Sequence, residues 1–206
     1  MVMRSLSLEE FTTELGSSSP APGGGSASAL AGALAASLSS MVANLTVGKK
    51  GYEDEFEAMK GIAVQAQRLR EDLLTLIDTD AESFNEFLRA LRLPKDSAQE
   101  KLYRTQCMQQ ALKRSSEIPM QIAQKSVALF PLAHTLLLHG NQNAVTDAAV
   151  SVMLARTAVL GALLNVRINL QSIKDESFVA EMTGQADTLE HEVIEKEKEL
   201  LALTAF

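Results

Sequence analysis

The run from Ser17 to Gly51, SSSPAPGGGSASALAGALAASLSSMVANLTVGKKG, limits what this chain can fold into more than any other stretch. Pro20, Pro22 and the triplet Gly23-Gly24-Gly25 are unsuited to a helix interior, and the glycines permit backbone conformations that other residues avoid. Beyond them comes a long uncharged segment built of small residues, ending at Gly48-Lys49-Lys50-Gly51. Ser26 is the expected N-cap, its hydroxyl accepting from the first free amides of the helix. Loop and helix start together offer N–H groups suited to an anionic or carbonyl-bearing ligand. The same residues also fit a tight loop entering a core helix.

Ser28, Gly32, Ala36 and Ser40 recur every fourth position and share one face of that helix, where small side chains let a second helix approach closely. The nearly all-round apolar character predicts burial. A membrane span is the competing reading, since about twenty uncharged residues suffice to cross a bilayer. Five serines, Asn44 and an excess of Ala over Leu make the segment too weakly hydrophobic for that, so no membrane partner is expected.

Composition points to a soluble, cytoplasmic protein with one helical domain over residues 1–206. Cys107 is the sole cysteine, which rules out an internal disulfide and gives no sign of an oxidising compartment. The polar, acidic start does not look like a signal peptide. A net charge of −7, aromatic content of 4% and the lack of Trp argue against nucleic-acid binding.

Helical patterns fill the rest. Ser7-Leu8-Glu9-Glu10 and Ser97-Ala98-Gln99-Glu100 are capping boxes. From about Glu53 to Leu91 an apolar stripe including Met59, Ala66, Leu73, Ile77 and Phe84 predicts one very long helix or two nearly continuous ones. A helix from Ser97 is expected to run toward Ser116, and Pro119 to kink or restart the chain. Further helices are predicted over Ile122–Leu138, about Ala144–Ile173 and about Glu176–Ala202, with Asn141-Gln142-Asn143 as a polar break. No segment alternates convincingly as a strand. The fold class is therefore all-α, a single-domain antiparallel bundle of long helices.

Several chemistries are excluded by pattern. The triple glycine is not a dinucleotide fingerprint, and Gly48-Lys49-Lys50 lacks the upstream glycine and hydroxyl of a phosphate loop. His134, His139, His191 and Cys107 do not form a zinc pattern, so no metal is expected. No nucleophile elbow is present.

The run PAPGGGSASALAGALAASLSSMVANLTVGKK and the run GNQNAVTDAAVSVMLARTAVLGALLNVRINLQSI, from Gly140 to Ile173, resemble the cyclodeaminase/cyclohydrolase family of folate enzymes. Leu76-Ile77-Asp78-Thr79-Asp80-Ala81-Glu82-Ser83-Phe84 resembles that family's acidic segment, and the likeness extends roughly from Leu8 to Asp175. The resemblance implies a homodimer acting on a tetrahydrofolate derivative without a further cofactor. It implies closure of 5-formiminotetrahydrofolate to 5,10-methenyltetrahydrofolate with loss of ammonia, or interconversion of the methenyl and 10-formyl forms.

Both reactions pass through a tetrahedral carbon between N5 and N10, and both involve a cation. Such a site needs an anion, a proton shuttle and groups that orient the ring. Asp147 is the first candidate carboxylate, in the opening turn of its helix, where free amides favour the ionised form. Asp80 is the second: it shares a stripe with Leu73, Leu76, Ile77 and Phe84, which draws it inward, whereas Asp78 reads as a solvated neighbour. Lys49 is the third catalytic candidate. Gly23, Gly24, Gly25, Ser26, Asn44, Lys50, Asn141 and Asn143 are candidate substrate-binding residues, Lys50 and Lys49 for the glutamate tail. Each also has a plainer reading as a cap, a solvated charge or a helix–helix contact.

Asn165 lies five turns beyond Asp147, about 27 Å along a straight helix. Asn165 and Asn169 therefore either hold helices together or serve a site on a second subunit. Arg156 and Arg167 read equally as tail ligands or ion-pair partners. The competing non-enzymatic reading is a helical dimerisation module that uses Gly32 and Ala36 for contact alone.

Overall fold

Two capping boxes and one capping aspartate set three of the helix starts. Ser7 Oγ accepts from the Glu10 amide while Glu10 reaches back to the Ser7 amide, opening α1 (Leu8–Leu15). Ser97 and Glu100 repeat the arrangement at the head of α4 (Ala98–Val127). Asp175 caps α7 (Glu176–Leu201) by accepting from the Phe178 amide. Lys113 lies beside that carboxylate and, with the capping bonds, holds it well below the usual carboxylate range. The remaining long elements are α2 (Gly24–Thr46), α3 (Phe56–Leu91), α5 (Leu129–His139) and α6 (Val145–Leu170). These come from a computed structural model that describes residues 2–204, and no strand occurs among the described residues.

The expected all-α bundle is thus the observed one. The apolar stripe of residues 53–91 forms one continuous α3 of 36 residues after a single turn at Glu53–Glu55. Pro119 does not restart the chain: α4 runs through it, and the break falls at Ala128 instead. A proline ring leaves its helix without one amide donor. Here the Ser115 carbonyl that would have received that bond accepts Asn169 Nδ2 at 2.6 Å, so the vacancy is filled from α6.

Packing follows the small residues. α2 is the central element, laid between α3 and α6, and α4 closes the bundle against α3 and α6. Ala29, Ala33, Ala36, Ala155, Ala158 and Ala162 are buried, which brings the α2 and α6 backbones close together. The two helices run antiparallel. Ser39 Oγ, in the C-terminal half of α2, meets Ser151 Oγ, in the second turn of α6, at 3.2 Å, while Gly24 abuts Asn165 at the other end. Phe130, Met59, Leu73, Ile77, Ile122 and Leu163 fill the remaining core.

Two helices, Gly24–Thr46 and Gln142–Leu170, are long and apolar enough to cross a membrane by length and composition, with 56% and 50% of the relevant windows buried. Their unburied halves adjoin. Leu34, Met41 and Leu45 of α2 are exposed, as are Val150, Met153, Leu164 and Ile168 of α6, with Leu164 65% accessible. Asn44, Asp147, Ser37, Thr157 and Asn165 are interspersed at partly or fully accessible positions.

Candidate functional site

The head of α2 differs from the sequence expectation in one respect. Gly23, not Ser26, is the N-cap, and no side chain caps the helix. Ser26 lies one turn inside, fully buried, and its hydroxyl donates to the Ile77 carbonyl at 3.2 Å and to Asp80 Oδ2 at 2.9 Å. An apolar environment surrounds this position, so its hydroxyl serves the facing helix rather than its own first turn. The amides of Gly24 and Gly25, left over at the helix start, point out of the α2 N-terminus.

Asp80 comes from the inward stripe of α3 and packs directly on this turn. A Cβ at position 25 would stand 2.2 Å from Asp80 Oδ1, so only glycine lets the carboxylate sit there. No lysine, arginine or histidine forms an ion pair with Asp80 among the described residues. Burial dominates and pushes its pKa up from the ordinary aspartate value, opposed in part by the Ser26 hydroxyl and amide. The acid is therefore held closer to its neutral, proton-donating form than an exposed aspartate is.

Beside it opens a cavity of about 260 Å³, lined by Gly23, Gly24, Gly25, Asp80, Ser83, Phe84, Ser115, Asn165, Ile168 and Asn169. Sequence reasoning left Asn165 and Asn169 undecided between structural and ligand roles, and did not single out Ser83 or Ser115. Four-residue spacing of Asn165 with Asn169, and of Asp80 with Phe84, was the available signal, but only tertiary packing opposes the two pairs. A larger hollow of about 400 Å³ between α5 and α7, beside His134, Lys196 and Glu199, contains none of the candidate residues.

The other candidates assemble at the far end of α2. Gly48 and Gly51 have φ of +79° and +89°, so the Gly-Lys-Lys-Gly turn requires both glycines, and it folds back onto the Gln142–Ala144 turn. Asn141 is buried and donates to the Leu45 carbonyl while its amide nitrogen donates to Thr46 Oγ1. Asn141 Oδ1 accepts from Lys49 Nζ at 2.5 Å and from the Asn143 amide at 3.1 Å. The Lys49 ammonium thus has a neutral partner, lies 5.8 Å from the Tyr52 ring centre, and has no carboxylate partner among the described residues. Lys50 and Asn143 are exposed, Asn44 contacts Ser40, and Asp147 occupies the first turn of α6, half-buried.

Within one subunit the candidates therefore form two groups, not one. Gly24 and Asn44 are separated by about 30 Å along α2. Asp78 departs from its solvated reading by accepting from the Met3 amide and pairing with Arg4. Arg156 pairs with Glu197, and Arg167 with Asp187 and Glu190, all on α7, so both arginines act as clamps between helices. Among the described residues no three His, Cys, Asp or Glu side chains gather as a metal site.

The family model described as formiminotransferase-cyclodeaminase matches residues 7–188. The chain belongs to this family. It is 36% identical over 182 residues to the methenyltetrahydrofolate cyclohydrolase of Methylorubrum extorquens, covering 88% of each chain. It is 34% identical over 182 residues to the formimidoyltransferase-cyclodeaminase of Sus scrofa, but spans only 34% of that longer protein. Among solved structures, the formiminotetrahydrofolate cyclodeaminase of Thermotoga maritima superposes with a TM-score of 0.86 at 30% identity, over 97% of this chain and 96% of that one. The resemblance carried by the glycine loop, the acidic α3 segment and the NQNAVTD motif is thereby shown. This is an enzyme of the cyclodeaminase/cyclohydrolase family of folate one-carbon chemistry.

Proposed function

We propose that the chain closes 5-formiminotetrahydrofolate to 5,10-methenyltetrahydrofolate, releasing ammonia by acid–base catalysis without a metal, at a site shared by two subunits. The observation that carries this reading is Asp80, buried against the free amides of α2 with no cation beside it. N10 attacks the protonated formimino carbon, and a tetrahedral centre bridges N5 and N10. A protonated Asp80 gives its proton to the departing nitrogen and recovers one from N10, so ammonia leaves and the methenyl cation remains. Asp80 ends the turnover protonated as it began, and the single positive charge moves from the formimino group to the methenyl bridge.

Sharing between subunits follows from the layout of the exposed face. The cavity of about 260 Å³ is smaller than pockets that enclose a whole ligand of this size. It opens beside Ile168, at one end of the uncharged α2/α6 face, while Lys49, Asn44 and Asp147 lie at the other end. A two-fold contact makes each patch meet its counterpart reciprocally. An antiparallel pairing of this face brings the glycine end of one subunit onto the Asp147 end of the other, twice. Asp147 of the partner subunit then supplies the second anion, while Lys49 and Lys50 of that subunit engage the glutamate tail. The site is a folate site in a cytoplasmic homodimer, on this reading.

Introducing charge into the uncharged face tests the assembly. Leu34→Arg combined with Leu164→Glu is expected to convert the dimer to a monomer in sedimentation velocity, with helical circular dichroism retained and turnover lost. A monomer that keeps full turnover contradicts the shared site. The cyclohydrolase reaction is the second reading, favoured by the match over 88% of the Methylorubrum extorquens protein. Following the absorbance of methenyltetrahydrofolate from 5-formiminotetrahydrofolate and separately from 10-formyltetrahydrofolate decides between them. Faster production from the formimino substrate is the expected outcome.

A further inference from the structure

The hydrogen bonds around the cavity have a consistent direction. Asn165 Nδ2 donates to the Gly161 carbonyl at 2.8 Å, and Asn169 Nδ2 donates to the Ser115 carbonyl at 2.6 Å. A carbonyl can be met only by the NH2 end of an amide, so both Oδ1 atoms are turned the other way. Ser83 Oγ donates to the Asp80 carbonyl at 2.8 Å and Ser115 Oγ to the Ser83 carbonyl at 3.2 Å, which spends both hydroxyl protons on backbone. No donor to Asn165 Oδ1 or Asn169 Oδ1 occurs among the described residues. Ser83 and Ser115 therefore have no hydroxyl proton left to offer, while Asn165 and Asn169 each present an unpaired Oδ1 beside the second hydrogen of the NH2 group. Phe84 and Ile168 add apolar surface on the same cavity wall.

Two unpaired Oδ1 atoms on one cavity wall suit a flat group that carries N–H donors on one edge. Resting on the folate reading above, we infer that Asn165 and Asn169 are specificity-determining residues that receive the amino-pyrimidinone edge of the reduced pteridine, its ring amide N–H and exocyclic amino group. The pteridine then enters this end of the cavity ring first, with its one-carbon bridge at Asp80 and its aminobenzoyl-glutamate portion leading out along the α2/α6 face. Pro119 sets the geometry from a distance. By lacking an amide it leaves the Ser115 carbonyl free to hold Asn169, which fixes the direction of Asn169 Oδ1.

Two ring probes without one-carbon unit, aminobenzoate or glutamate test this on the intact wild-type protein. These are 6-methyltetrahydropterin and 6-methyltetrahydrolumazine, in which a carbonyl replaces the exocyclic amino group. Replacing a donor by an acceptor opposite fixed acceptors leaves buried polar atoms unpaired. The pterin is expected to bind at least about tenfold more tightly than the lumazine by anaerobic calorimetry. Asn165→Ala and Asn169→Ala are each expected to weaken pterin binding about tenfold, and the variant that removes the partner of the exocyclic amino group is expected to erase the preference for the pterin over the lumazine. The same variants should raise KM for the folate substrate more than they lower kcat. Equal affinity for the two probes on the wild-type protein overturns the inference, whether or not the variants fold, and leaves the folate reading standing if turnover is seen. No turnover from either folate substrate overturns the folate reading, and the choice of ring with it.

Discussion

Asp80→Asn is expected to lower turnover by about a hundred- to ten-thousandfold while raising the melting temperature at neutral pH. The two effects share one cause. Burial raises the Asp80 pKa in the folded protein above its ordinary value near 3.8, so between those values the folded state binds more protons than the unfolded one. Stability then falls as pH rises through that window, and at neutral pH the buried acid is a standing cost of the fold. Asparagine removes the charge, keeps the shape, and still presents an oxygen to the Ser26 hydroxyl. For a chain of this size each kcal/mol recovered raises the melting temperature by about 2–4 °C. Below the ordinary aspartate pKa both forms are neutral, and the advantage of the variant should vanish. Scanning calorimetry at neutral and at acid pH, beside the methenyl absorbance assay, measures both halves. A variant less stable than wild type at neutral pH would show that Asp80 is a structural anchor rather than an acid kept near its neutral form.

Asp80→Asn and Asp147→Asn subunits, each nearly inactive alone, are expected to recover about a quarter of wild-type turnover when assembled together at equal amounts. Random pairing makes half of the dimers mixed. In a mixed dimer one site receives both intact carboxylates and the other receives neither, so one site in two works. Complementation of this kind cannot arise from sites contained in one subunit, because the two carboxylates lie at opposite ends of α2. Differently tagged subunits, co-expressed and purified through both tags, isolate the mixed dimer and should show about half of wild-type turnover. Mixed dimers with no activity would remove Asp147 from the partner's site and with it the shared-site reading.

Much of this molecule could be read along the chain because its signals are local. Capping boxes at Ser7 and Ser97, the apolar stripe of α3 and the small-residue spacing of α2 each depend on residues within a turn or two of one another. The inward pull on Asp80 was legible for the same reason, from Leu73, Ile77 and Phe84 on its own face. Pro119 misled because its local effect, a lost amide, is repaired by Asn169 from 50 positions later in the chain. Ser26 misled in a similar way. Its hydroxyl would have capped α2, but Ile77 and Asp80 of another helix claim it.

By itself, then, the sequence determined the helices, their buried faces and the family to which the chain belongs. All of these rest on periodicity or on contiguous motifs, which need no knowledge of what packs against what. Tertiary structure alone decided which candidates meet. It laid α6 antiparallel on α2, carrying Asn165 and Asn169 to the glycine turn and Asp147 some 30 Å away from it. The physical reason is that helix direction and crossing are chosen by the fit of whole faces, through Ser39 against Ser151 and alanine against alanine, and no single segment contains that choice.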